Sequence, residues 1–250
     1  MSRIIAVCSG KGGVGKTTVA ANLGLALQRL GKNTAVIDTN FTTAHLGIYF
    51  GMIGSNPSIN DFLRGTIPMS GVVQNHPTGM KIVPASLSLK DLDVDFSAFR
   101  QAIRNEFQSC DFIILDSAPG FGKEALISMG AADELMLVAN PYLPSVIDIT
   151  KARELVSSLE NKPSMLGILV NRSRKKSYEL SRDEIRAFTE IPVIGTVPES
   201  ERILASSNRR SRMNFSMGPA HPSFMHIASR LSAVEYNESP FQKLLSVFRR

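Results

Sequence analysis

Short, nearly continuous apolar runs alternate along this chain with longer stretches that are apolar only at every third or fourth position. Continuous runs fall at residues 4–9, 34–38, 81–84, 112–116, 135–140, 166–171 and 193–197. Their length and β-branched content predict strands buried on both faces. Helical spacing marks residues 17–30, with Ala20, Leu23, Leu27 and Leu30 ahead of the stop at Gly31. It recurs near 96–107, 124–129, 145–159, 182–189 and 223–233. Strands alternating with helices predict a single α/β domain, a mostly parallel twisted sheet of about seven or eight strands with helices on both faces. In such sheets ligands sit at the carboxyl ends of the strands. Asp38, Asp116 and Asn171 fall at or near three such ends.

The turn after the first strand carries the chemistry. Residues 10–18 read G-K-G-G-V-G-K-T-T. Gly10, Gly12, Gly13 and Gly15 let the backbone wrap a phosphate chain at a helix N-terminus, with Val14 and Thr18 completing the loop. A strand before and a helix after give the motif the context it requires. Lys16 is placed to neutralise β- and γ-phosphates and the Thr17 hydroxyl to ligate Mg²⁺, so ATP or ADP with Mg²⁺ is the expected cofactor. Asp116 ends the run F-I-I-L-D, where a carboxylate suits a Mg²⁺-bound water. The S-A-P-G-F-G that follows suits a loop responding to a γ-phosphate, and equally a plain turn.

Composition narrows the class. The 250 residues are 43% hydrophobic and hold no apolar run near the length of a membrane span. The start M-S-R-I-I enters the first strand at once, so a cytosolic protein without a signal peptide is expected. Cys8 and Cys110 lie beside core strands without a C-x-x-C, which predicts buried thiols rather than a disulfide or metal framework. The net charge of +6 is carried wholly by residues 171–250, with fourteen basic against eight acidic side chains. That part of the chain is expected to face something anionic. The segments 172–176 and 209–212 are its basic clusters.

The last residues form a second pattern. Ser239, Pro240 and Gln242 read as a helix start, and Phe241, Leu244, Leu245 and Phe248 then fall on one face beside Lys243, Arg249 and Arg250. A short basic amphipathic helix suits an anionic membrane surface, and a terminal helix docked on the core has the same pattern. The domain reading is therefore 1–236 for the nucleotide domain and 237–250 for a tail.

The paired lysines of K-G-G-V-G-K-T-T, the D-S-A-P-G segment, N-P-x-x-x-S-V-x-D at 140–148, G-I-L-V-N-R and V-P-E at 197–199 together resemble the MinD/ParA family of deviant Walker A ATPases, toward its MinD branch. The resemblance implies that Lys11 reaches the phosphates of a partner in an ATP-sandwiched homodimer, with Asp148 at the dimer face. It implies that Asn171 bonds the adenine edge, with Pro198 and Glu199 beside the base, and that Asp38 serves metal and catalysis. It implies an ATPase on the inner membrane face that recruits an activating or cargo protein. One position departs from the family: Asn40 stands where a second aspartate usually places the attacking water, which predicts slow hydrolysis. His45 reads as structural or partner-facing. A ParA-like ATPase binding DNA through the basic clusters is the alternative reading. A metabolic or metallocluster-carrier ATPase of the same superfamily is a second one, disfavoured by the cysteine positions.

Overall fold

The computed structural model describes residues 2–52, 57–86, 96–200 and 222–237. The strands are β1 (Arg3–Cys8), β2 (Thr34–Thr39), β3 (Gln74–Asn75), β4 (Lys81–Val83), β5 (Phe112–Ser117), β6 (Glu134–Ala139), β7 (Ser164–Ser173) and β8 (Val193–Pro198). The long helices are α1 (Lys16–Arg29), α5 (Phe96–Glu106), α6 (Lys123–Ala131), α7 (Leu143–Ser158), α8 (Arg182–Thr189) and α9 (Pro222–Ser232). Three short ones, α2 (Leu46–Tyr49), α3 (Ile59–Leu63) and α4 (Met69–Val72), lie between β2 and β3.

All the strands form one sheet in the order β3-β4-β2-β5-β1-β6-β7-β8, parallel except for β3. Side chains alternate between two cores, as a pleated strand requires. Ile4, Ala6, Ile37, Ile113, Leu115, Leu135 and Leu137 pack on one face with Phe99 and Ile103 of α5, Ile127 of α6 and Ile149 of α7. Ile5, Val7, Val36, Ile114, Met136 and Val138 pack on the other against Leu23 and Leu27 of α1 and Phe224 and Ile227 of α9. Burial on both faces is why the strands read as uninterrupted apolar runs. The seven predicted strands and six predicted helices are all present, with ends shifted by at most two residues.

The short elements escape periodicity because each is four or five residues long. Local bonds start one of them: the Ser58 N–H and hydroxyl both donate to Asp61 Oδ2, at 2.8 Å each, at the start of α3. Among the described residues no helix is long and apolar enough to cross a membrane. The expected tail helix and the basic segment 209–212 lie outside the described residues.

Candidate functional site

β1 lies between β5 and β6, and the loop after it stands at the carboxyl edge of the sheet, where the chain crosses to opposite sides. Gly15 caps α1 with φ 97°, a left-handed conformation that glycine adopts without strain. A Cβ there would also lie 2.4 Å from Asn171 Nδ2. Gly10 is a place of close approach, since a Cβ would come within 2.3 Å of Asp148 Cβ on α7. The loop is thus wedged between α7 and the end of β7.

Its two lysines behave differently. Lys16 is 7% exposed and its Nζ donates to Ser9 Oγ at 2.9 Å, while the Ser9 hydroxyl donates to the Lys11 carbonyl at 2.7 Å. Burial presses the Lys16 ammonium below its ordinary pKa, opposed by the Asp116 carboxylate. Lys11 leaves the pocket, with its side chain 49% exposed and Nζ 3.2 Å from Asp148 Oδ2. Lys151 also approaches Asp148, at 3.6 Å from Oδ1. Lys11 therefore has an ion-pair partner in its own chain, which the sequence did not reveal.

Asp38 and Asp116 are register partners on the adjacent strands β2 and β5, and both are buried. Asp38 accepts the Asn40 N–H at 3.0 Å on Oδ1 and those of His45 and Leu46 at 3.2 and 3.0 Å on Oδ2. Burial and then the Asp116 charge push its pKa well up, against those three N–H groups. Asp116 is pushed up to about 6 by burial, against a hydrogen bond from Thr17 and the charge of Lys16. Its Oδ1 has no hydrogen-bond partner. An orphaned buried carboxylate oxygen, a second carboxylate and a hydroxyl are hard oxygen donors of the kind Mg²⁺ takes, so Thr17, Asp116 and Asp38 fit that ion. Among the described residues no group of three or more His, Cys, Asp and Glu side chains is placed to hold a metal by itself. Cys8 and Cys110 are buried free thiols, and burial pushes the Cys8 thiol up to about 12.

Asn40 is engaged locally. Its Nδ2 donates to the Thr43 carbonyl at 2.8 Å, and its Oδ1 accepts from Thr43 Oγ1 at 2.9 Å and the Thr43 N–H at 3.3 Å. The side chain thus closes a turn around Asp38. His45 is exposed, and its backbone serves Asp38.

On the other side, Asn171 Nδ2 donates to the Val14 carbonyl at 2.8 Å, and Asn140 Nδ2 holds the Asn171 carbonyl at 3.0 Å. Asn171 is buried against the phosphate loop, at the strand end where its expected contact with a base would be made. Pro198 ends β8, and Glu199 next to it donates its N–H to the Ser173 carbonyl at 2.9 Å and pairs with Arg174. The loop 117–122 backs onto the glycines. The Gly120 N–H donates to the Ser9 carbonyl at 3.1 Å, and a Cβ at Gly12 would lie 3.8 Å from Pro119.

The structure thus gathers Lys11, Lys16, Thr17, Asp38, Asn40, Asp116, Asp148, Asn171, Pro198 and Glu199 along one edge of the sheet. Sequence reasoning missed Ser9, Thr39, Asn60 and Glu124, which hold the loops in place. Glu124, an acid in the first turn of α6, was visible only as an ordinary helix-start residue.

Comparison with known proteins agrees with this fold. Residues 5–212 match the model for the CobQ/CobB/MinD/ParA nucleotide binding domain. An ATP-binding protein of Methanocaldococcus jannaschii is 33% identical over 239 residues, covering 94% of this chain and 90% of its own. The septum site-determining protein MinD of Thermotoga maritima is 28% identical over 216 residues, with 83% and 79% covered. The solved structure of MinD from Pyrococcus horikoshii, complexed with Mg-ADP, superposes with a TM-score of 0.82 at 24% identity over 92% of this chain and 96% of that one. With its phosphate loop, paired strand-end carboxylates and matching sheet, this chain belongs to the CobQ/CobB/MinD/ParA family of nucleotide-binding domains.

Proposed function

We propose that this MinD/ParA-family protein is a Mg²⁺-dependent ATPase that works as an ATP-driven dimerisation switch. The ATP-bound homodimer docks on the inner face of the cytoplasmic membrane through residues 237–250 and there positions or recruits an activating or cargo protein. The observation that carries the reading is the division of labour between the two loop lysines. Lys16 is buried in its own pocket, whereas Lys11 stands outside it on the face formed by Gly10 and α7. A lysine there has no use for its own chain's phosphates and is available to those of a second copy.

In this mechanism the loop amides and Lys16 hold the phosphates, and Asn171, Pro198 and Glu199 border the base. Thr17, Asp116 and Asp38 would hold Mg²⁺, which would neutralise phosphate charge when bound. Exchange of Lys11 from Asp148 to the partner's nucleotide completes the dimer. Lys11 is half-exposed, and Lys151, 3.6 Å from Oδ1, stays beside the Asp148 carboxylate when Lys11 leaves. Asn40 has no ionisable group to accept a proton from the attacking water, so basal hydrolysis is slow and the dimer long-lived.

Light scattering with ATP and Mg²⁺ tests the reading. Lys11→Ala leaves monomers that still bind ATP, and Lys16→Ala loses nucleotide affinity as well. A Lys11→Ala variant that dimerises normally removes the switch. A second reading, DNA binding, is favoured by the exposed Lys175 and Lys176 at the end of β7. Liposome co-sedimentation beside a salt-dependent DNA gel shift, both with ATP, separates the two.

A further inference from the structure

Two stretches of the site that the chain keeps far apart are joined by one carboxylate outside the residues assigned above. The Phe41 N–H donates to Glu124 Oε2 at 2.9 Å, across 83 positions of sequence. The Phe41 carbonyl accepts from Asn60 Nδ2 at 3.0 Å. One turn further along α6, Ser128 Oγ lies 2.7 Å from Thr39 Oγ1, which donates to the Asp116 carbonyl at 2.9 Å. Helix α6 therefore grips residues 39 and 41 on either side of Asn40. The segment so gripped, 40–46, supplies all three N–H groups that Asp38 accepts. At its N-terminal end α6 follows directly on the loop 117–122, whose Gly120 N–H bonds the carbonyl of Ser9 beneath the phosphate loop.

We propose that Glu124 is a positioning residue that couples these loops: it sets the segment after β2, and with it the N–H groups around Asp38, according to where the loop 117–122 stands against the phosphate loop. This rests on the Mg²⁺-nucleotide reading above. A displacement of the first turn of α6 is passed to Phe41 through one hydrogen bond, and Phe41 cannot follow freely because its ring packs edge-on against Phe99, with centroids 6.2 Å apart. The segment 40–46 then rearranges around Asp38. An acid in the first turn of a helix also favours the helix dipole, whatever it touches. Two substitutions separate charge from reach. Glu124→Gln removes the charge and keeps an oxygen for Phe41, while Glu124→Asp keeps the charge and is one carbon too short.

The test uses a fluorescent ADP titrated with Mg²⁺, together with amide hydrogen exchange of Phe41 in the nucleotide-free protein. Glu124→Asp should need about tenfold more Mg²⁺ at half-saturation and exchange Phe41 about tenfold faster, the effect of losing a hydrogen bond to a charged acceptor. Its ADP affinity in EDTA should match wild type. Glu124→Gln should restore most of both properties. The proposal is overturned if Glu124→Asp behaves as wild type, or if Glu124→Gln is impaired as much as Glu124→Asp. A wild-type protein whose ADP binding ignores Mg²⁺ takes down the metal assignment and this coupling together. A normal wild-type response with an unaffected Glu124→Asp takes down the coupling alone.

Discussion

Replacing Asp116 by asparagine should make the nucleotide-free protein more stable while disabling its metal site. Asp116 is 1% exposed, lacks a partner on Oδ1 and has Asp38 directly across the β2–β5 pair. Its pKa of about 6 stands against 3.8 for the unperturbed group. Two units of difference correspond to roughly 3 kcal/mol by which ionisation disfavours the fold. The sign follows from the protons. Above pH ~6 both folded and unfolded states are ionised and the full penalty is present. As pH falls from ~6 to ~4 the folded state takes up a proton that the unfolded state does not, and stability recovers. That proton belongs to the Asp38–Asp116 pair, so the step observed is the pair's. Asparagine removes one of the two charges and keeps the shape. At pH 7.5 we expect a gain of about 2–3 kcal/mol, or about 4–12 °C in Tm for a chain of this size. The gain should shrink as pH is lowered toward 4. Adding ADP with Mg²⁺ should then raise the wild-type Tm more than adding ADP with EDTA, and the variant should not distinguish the two. Thermal unfolding between pH 4 and 8 measures all of this. A variant no more stable than wild type at pH 7.5 refutes the argument that the carboxylate is held at a cost.

Two further expectations concern the loops. Gly10→Ala forces a methyl group into Asp148 Cβ and to 3.0 Å from that residue's backbone, so α7 must move away from the phosphate loop. A loss of about 1–3 kcal/mol in urea unfolding is expected, along with loss of ATP-dependent light scattering; a variant that unfolds and dimerises as wild type would show that α7 gives way easily. Asn40→Asp loses the donor to the Thr43 carbonyl and adds a third carboxylate beside Asp38, so it should cost about 1 kcal/mol of stability. It should also accelerate single-turnover hydrolysis if Asn40 limits the chemistry, and equal or slower rates would end that explanation.

What the sequence made legible follows from which forces leave a periodic trace. Strands such as Phe112–Ser117 are buried on both faces, so the positions up to Asp116 are all apolar and the run is plain. Lys16, Thr17 and Asp116 were readable because phosphate and Mg²⁺ chemistry demand those residue types at a strand-to-helix turn. The short helices α2 and α4 were not, since four residues hold barely one turn and no repeat of it, and tertiary contact fixes them. Lys11 and Asp148 meet across the whole β1–α7 span, and Glu124 finds Phe41 through packing of α6 on β2. Neither pairing has a local signature. Asn40 was legible as a departure from a family pattern, whereas its closure on Thr43 is visible only in the fold.

The placement of β1 has a consequence for how the molecule is made. β1 is among the first segments to be synthesised, yet its partners on both sides are β5 and β6, at Phe112–Ser117 and Glu134–Ala139. Long-range parallel pairing of this kind comes late in folding, because the intervening chain must be ordered first. During translation the phosphate loop is therefore exposed well before it has a sheet edge to sit on, and it gains its shape only after β6 has left the ribosome. Nucleotide has no site to enter on the growing chain until more than half of it has been made.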